Sequence, residues 1–272
     1  MAGRLIVCPT PIGNLQDLSP RARQALGEAD LVACEDTRRA GLLFERLDIP
    51  KPRFVSYHEG NEAERAVQLA QQVERGAKVT LISEAGTPVV SDPGFRLIRA
   101  CLERDLDVEV LPGPSAVITA LVASGLPPDR WRFEGFLPRR AGELERVLRS
   151  AETVVAFESP RRLPQSLAAL AALAPNRPAA ICRELTKLHE EVARATLGEL
   201  ARRFREDVKG EIVLVIAPAR GRLGRGSAHR HAPERPVSRP HRPRPARVST
   251  SKPPCNAPSG VGATGPARTG RS

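Results

Sequence analysis

From the N-terminus to about residue 217, short runs of β-branched and other apolar residues alternate with longer stretches in which apolar positions recur every three or four residues. The short runs at 5–8, 31–34, 54–56, 79–83 and 108–111 predict five strands, because a brief uninterrupted apolar run suits a strand buried on both faces. The stretches between them predict helices. Two carry start signals: Ser19 precedes Pro20, and Asn61 is followed by Glu64 three residues later. A second series follows, with strands at 131–136, 153–157, 179–183 and 211–217 and helices at 141–150, 160–173 and 197–206. The Ala/Leu-rich stretch at 163–173 reads as a packing helix. Alternation of this kind predicts a mostly parallel sheet with helices on both faces. Nine strands would make a large single sheet, and Pro112-Gly113-Pro114 interrupts the series. The pattern therefore predicts two α/β domains, 1–112 and 113–218, with a cleft between them.

Charge changes the picture of the C-terminus. The 272-residue chain has a formal net charge of +11, and residues 219–272 hold eleven Arg and one Lys against one Glu. Residues 1–218 are thus formally neutral, and any basic groove in the body has to come from arrangement rather than net charge. The segment 219–272 also holds nine of the 26 Pro and no aromatic residue, too little apolar surface to offset the entropy of ordering it. It is expected to be a disordered Arg/Pro-rich tail, either a polybasic arm that touches RNA weakly or a segment with no role of its own. No apolar stretch approaches the ~20 residues a bilayer requires, and the N-terminus lacks a signal-peptide pattern, so a cytoplasmic protein is expected. Cys8, Cys34, Cys101, Cys182 and Cys255 form no C-x-x-C pair and are expected to be reduced thiols rather than disulfides or zinc ligands.

Candidate chemistry gathers in the loops that follow strands, where open α/β sheets bind ligands. Three such loops are rich in Gly and Pro: Thr10-Pro11-Ile12-Gly13-Asn14, Glu84-Ala85-Gly86-Thr87-Pro88 continuing to Ser91-Asp92-Pro93-Gly94, and Pro112-Gly113-Pro114-Ser115-Ala116. Any one could be an ordinary tight turn; three in one half of the chain favour a shared ligand. There is no G-x-G-x-x-G after a strand, no Gly-Lys dipeptide and no H-E-x-x-H, which excludes a dinucleotide fingerprint, a Walker A loop and a zinc-hydrolase helix. No metal is expected. Polar clusters end other strands: Glu35-Asp36-Thr37-Arg38, Ser56-Tyr57-His58-Glu59, Glu158-Ser159-Pro160-Arg161 and Arg183-Glu184-Leu185-Thr186-Lys187. They read either as caps and surface ion pairs or as a rim of acids and bases able to hold a polyanion and move a proton.

Taken in order with Leu111-Pro112-Gly113-Pro114-Ser115-Ala116 and Lys209-Gly210-Glu211, these motifs closely resemble the 16S rRNA cytidine 2′-O-methyltransferases of the tetrapyrrole methylase superfamily, over about residues 4–217. The resemblance implies S-adenosylmethionine as methyl donor, a two-domain α/β fold with the cofactor in the interdomain cleft, a homodimer, and 16S rRNA of the small ribosomal subunit as partner. Departures from the family pattern are Glu84 in place of Asp, Gly60 and Arg161 in place of His, and Phe157 in place of Tyr. Residues 219–272 do not resemble the small helical domain with which relatives continue.

The resemblance places Pro11, Thr87, Val90, Ser115, Ala116 and Phe157 around the cofactor, with Gly86 and Gly113 allowing close approach. A ribose hydroxyl needs a base to take its proton; Lys187 would serve if desolvation lowers its pKa, and Glu184 or Glu35 if an acid does so. Each of the first two could equally be a structural ion pair. Arg38, Arg161 and Arg183 are expected on rRNA phosphates, with His58 nearby and Tyr57, Phe133 or Trp131 as stacking platforms. Two other readings compete: methylation of a small precorrin-like tetrapyrrole, and a ribosome-binding relative without activity.

Overall fold

The five short apolar runs of the first half form strands that lie side by side. The structure, a computed structural model, describes residues 3–206 and 208–219. β1 (Arg4–Val7), β2 (Leu31–Cys34), β3 (Arg53–Ser56), β4 (Lys78–Leu81) and β5 (Asp107–Val110) form one sheet in the order β3-β2-β4-β1-β5. All of its pairings are parallel, as expected for strands joined through helices. Successive residues of a strand face opposite ways, so each strand feeds two cores. Ile6 and Val32 pack with Leu26 and Phe44 of α1 (Pro20–Gly27) and α2 (Thr37–Arg46). Leu5 and Ala33 pack with Leu69 and Leu97 of α3 (Glu62–Glu74) and α4 (Phe95–Leu102).

Caps explain where these helices begin. Ser19 Oγ accepts from Ala22 N at 3.1 Å with Pro20 in the first turn, as the sequence predicts. Asn61 corrects the second expectation, because its side chain makes no cap bond to α3. Its Oδ1 instead accepts from His58 N at 2.9 Å and its Nδ2 donates to Ser56 O at 3.1 Å, closing the turn after β3.

The second sheet comprises β6 (Trp131–Phe136), β7 (Thr153–Glu158), β8 (Pro178–Arg183), β9 (Glu191–Thr196) and β10 (Ile212–Ile216), ordered β6-β7-β10-β8-β9. It departs from the mostly parallel expectation: β6 pairs with β7 in parallel, whereas β7 with β10, β10 with β8 and β8 with β9 are antiparallel. The physical reason is β9, which the apolar pattern does not signal because it is an edge strand interrupted by Glu191 and Arg194. It returns directly beside β8, and β10 then enters the centre of the sheet with all five residues buried. α6 (Ala141–Leu148), α7 (Leu163–Leu173) and α8 (Leu197–Arg203) cover one face, with Leu163, Leu167 and Leu170 fully buried. α5 (Ala116–Ser124) covers the other through Val117, Ala120 and Leu121. Ile12, from the loop after β1, is buried in this last cluster, so the first sheet's loop is anchored in the second sheet's core.

No described helix is long and apolar enough to cross a membrane. Beyond Ala219, the tail expectation lies outside the described residues, as does Cys255. The four described cysteines are unpaired and buried.

Candidate active site

The loops leaving β1, β4 and β5 are tied to one another. Thr10 and Gly86 exchange backbone hydrogen bonds of 2.9 and 3.1 Å, joining the first loop to the second. Thr87 Oγ1 donates to Pro114 O at 2.9 Å, joining the second to the third. Gly86 sits at φ +83°, a conformation that favours glycine. Gly113 is required for another reason, since a Cβ there would lie 2.2 Å from Pro9 Cγ. Gly86, Thr87 and Gly113 therefore build the frame of the site.

Two adjoining cavities open against this frame. One, of about 300 Å³, is lined by Pro11, Glu35, Arg39, Glu84 and Lys187 among others. The second, of about 420 Å³, is lined by Val90, Asp92, Ala116, Phe136, Phe157 and Ile212 among others. Ile12, Ala85 and Glu211 line both, so the two form one cleft between the sheets. Phe157 meets Phe133 and Phe136 edge-on, with ring centroids 5.0 and 5.8 Å apart, which stiffens the apolar wall. Ser115 is the N-cap residue of α5 beside Ala116 and makes no side-chain cap bond.

The carboxylates of the cleft crowd one another. Burial, then the charges of Glu35 and Glu84, push the Asp92 carboxyl up to about 7. Glu35 is also raised, by burial and by Glu84 and Glu59, against the opposing pull of His58 and Arg39. Glu84 is paired with Arg39. The segment that carries Asp92 is strained, with Val89 at φ +76° and Ser91 at φ +65°. Such conformations persist only where the surroundings enforce them.

Lys187 does not meet the condition set for it as a base. Burial pulls its pKa down, but hydrogen bonds to Glu184 and Glu211 outweigh burial and hold it above the ordinary lysine value. Its Nζ lies 2.9 Å from Glu184 Oε1 and 3.0 Å from Glu211 Oε2. Glu184 is the complement: burial raises its carboxyl, yet the Glu211 N–H and Lys187 hold it below the usual range, and so it is a weak base. The triad clamps the loop after β8 to the entry of β10. Two glycines make room for it. A Cβ on Gly13 would stand 2.4 Å from Lys187 Cγ, and one on Gly210, at φ +99°, would stand 2.4 Å from Glu184 Cγ.

Among the expected RNA contacts, Tyr57 is corrected. Its ring is fully buried and its hydroxyl donates to Glu62 Oε1 at 3.1 Å, so it offers no stacking face. Burial and the Glu62 charge hold its phenol above the ordinary range. Arg183 is committed as well, with Nε 3.0 Å from Glu191 Oε2 and a second nitrogen 3.1 Å from Lys209 O. Arg38, His58 and Arg161 are exposed. Trp131 and Phe133 are partly buried against the α5 core. Asp92, Ile12 and Glu211 fall inside the sequence motifs without a role that local sequence signals; the one local sign at Asp92 is an acid between Ser91 and Pro93 in a loop after a strand.

Residues 4–201 match the family described as tetrapyrrole (corrin/porphyrin) methylases. A protein named ribosomal RNA small subunit methyltransferase I from Mycobacterium tuberculosis (strain ATCC 25618 / H37Rv) is 50% identical over 224 residues, covering 80% of this chain and 79% of that protein. The protein of the same name from Escherichia coli O157:H7 is 42% identical over 222 residues, covering 79% and 77%. Among solved structures, uroporphyrin-III C-methyltransferase from Thermus thermophilus, complexed with S-adenyl homocysteine, superposes with a TM-score of 0.55 at 22% identity, covering 79% of this chain and 97% of that one. Diphthine synthase superposes with a TM-score of 0.61 at 15% identity, covering 79% and 90%.

Proposed function

The chain belongs to the tetrapyrrole (corrin/porphyrin) methylase family, and from that premise we propose that it is an S-adenosylmethionine-dependent enzyme that methylates the ribose 2′-oxygen of a cytidine in the decoding region of 16S rRNA. The observation that carries an rRNA acceptor over a tetrapyrrole is identity: 50% to a protein named for the small-subunit rRNA, against 22% to the uroporphyrin enzyme.

The cleft fits the cofactor. Its two chambers lie within the ~300–1,000 Å³ usual for small-molecule sites, and Val90, Ala116, Phe136, Phe157 and Ile212 give an apolar wall suited to an adenine ring. Glu211 lines the same chamber and suits its cationic centres. When bound, the cofactor supplies an electrophilic methyl group on a sulfonium. The chain's own part is to align the hydroxyl and to remove its proton. Asp92 takes that proton at a carboxylate oxygen, in preference to Lys187 and Glu184, which neutralise each other. Burial and the charges of Glu35 and Glu84 keep the charge on Asp92 costly, which makes Asp92 the stronger base. Arg38, Arg161 and His58, all exposed, receive RNA phosphates.

The chain is read as two domains dividing at 112/113, a reading supported by β1–β5 lying in one sheet and β6–β10 in the other. The homodimer has a surface to form on: Val110 at the sheet edge and Ile118 and Val122 on α5 are exposed apolar side chains. The enzyme works in the cytoplasm, where small subunits assemble. The test is tritium transfer from labelled S-adenosylmethionine to purified small subunits and to naked 16S rRNA, followed by nucleoside analysis. Label in 2′-O-methylcytidine is expected; label in a uroporphyrinogen or precorrin acceptor and none in RNA would overturn the reading.

A further inference from the structure

At the end of the second sheet away from the cleft lies a second concavity, of about 340 Å³, lined by Arg130, Arg132, Arg146, Arg149, Ser150, Ala151 and Glu152. Four guanidiniums meet there although residues 1–218 are formally neutral. Tertiary structure gathers them: Arg130 and Arg132 flank the start of β6, while Arg146 and Arg149 come from the last turn and C-cap of α6. Three have glutamate neighbours, Arg132 with Glu134 at 3.1 Å, Arg146 with Glu143 at 3.8 Å and Arg149 with Glu145 at 2.5 Å. These pairs are exposed on the arginine side and leave most of each guanidinium's five N–H donors free for a second acceptor. Arg132 Nε is buried with no hydrogen-bond partner among the described residues. That nitrogen is closed to solvent, so an external acceptor meets the exposed parts of the four arginines instead.

We propose that this pocket is a phosphate subsite that grips the backbone of the RNA substrate; the inference rests on the rRNA acceptor proposed above. The guanidinium fork matches the paired oxygens of a phosphodiester. The placement is productive, because β6 runs from Arg132 in this pocket to Phe136 in the cleft wall. At ~3.3 Å per residue the strand spans about 13 Å, a length that a few nucleotides of RNA bridge. One end of the strand would hold the reacting nucleotide's surroundings and the other a flanking phosphate.

The test uses the full chain with Arg130→Gln/Arg146→Gln, two exposed side chains whose loss leaves the sheet intact, and with Arg132→Gln singly. RNA binding is measured by filter retention across a salt series, alongside KM, kcat and cofactor affinity by calorimetry. The double variant is expected to raise KM for small subunits several-fold with kcat and cofactor affinity unchanged. It should also flatten the dependence of log K on log[salt] by about 0.7–0.9 for each phosphate that the protein no longer neutralises. Arg99→Gln, on α4, serves as the control and should change none of these. Wild-type binding with an unaltered slope in the double variant would overturn the subsite alone. A wild-type chain that binds no RNA would overturn the subsite together with the rRNA reading beneath it.

Discussion

Replacing Asp92 with Asn keeps the side chain's shape and removes its ionisable group. In the fold the carboxyl is pushed up to about 7 from an ordinary value of 3.8. At ~1.36 kcal/mol per pH unit this sets a ceiling of roughly 4 kcal/mol on the cost of ionising it in place, and partial solvent exposure reduces that to about 2 kcal/mol. The sign follows from proton counting. Between those two values the folded chain binds more protons than the unfolded one, so wild-type stability falls as pH rises through that window and is flat on either side. Asp92→Asn lacks that fall. Thermal unfolding at pH 8 is expected to show the variant more stable by about 2 kcal/mol, ~4–8 °C for a body of this size, with the difference gone near pH 3.5. Methyl transfer moves the other way: the variant should lose ~10²–10⁴-fold in kcat, and the wild-type rate should climb with pH through about 7 as the carboxylate forms. A variant that is less stable than wild type at pH 8 would refute the burial argument, and one that transfers methyl at the wild-type rate would refute the assignment of the base.

Three further outcomes are expected. Gly13→Ala forces a Cβ to within 2.4 Å of Lys187 Cγ, and this overpacking should cost ~1–3 kcal/mol in thermal unfolding and weaken cofactor binding by calorimetry. Lys187→Met leaves Glu184 and Glu211 facing each other without a cation, an expected loss of about 1–2 kcal/mol at pH 7 for a partly exposed cluster. Because the Glu184 carboxyl is held below the ordinary range, its contribution is present above that range and lost as pH falls through its folded value, so the variant's deficit should shrink on acidification. Burial pushes the thiols of Cys8 and Cys34 up to about 12 and those of Cys101 and Cys182 up to about 11, so peptide mapping after native alkylation at pH 7.5 should find all four unlabelled.

Local pattern carried a long way. The strands of the first sheet, the start of α1 at Ser19-Pro20, the packing role of 163–173 and the clustering of candidate chemistry in three loops are all legible from residues adjacent in the chain. Each depends on backbone propensity or on the side-chain period of a strand or helix, and such preferences act over a few residues. β9 was illegible because an edge strand in which Ala193 is the one buried residue needs no apolar run.

What the chain could not announce locally is whatever a distant segment supplies. Tyr57 is as polar-tipped in sequence as any stacking residue, and α3 and α4 bury it. Lys187 and Glu184 look like an acid–base pair in sequence, and Glu211 turns them into a clamp in which one cation holds two carboxylates. Gly13, Gly113 and Gly210 are each required by a side chain from elsewhere in the chain, Lys187 at Gly13, Pro9 at Gly113 and Glu184 at Gly210. Asp92 becomes the candidate base through burial and the nearby charges of Glu35 and Glu84, which arrive from the loops after β2 and β4. Composition and periodicity constrain which surfaces are buried, but a pKa is set by desolvation and by charges several ångströms away, and only the folded chain brings those charges within range.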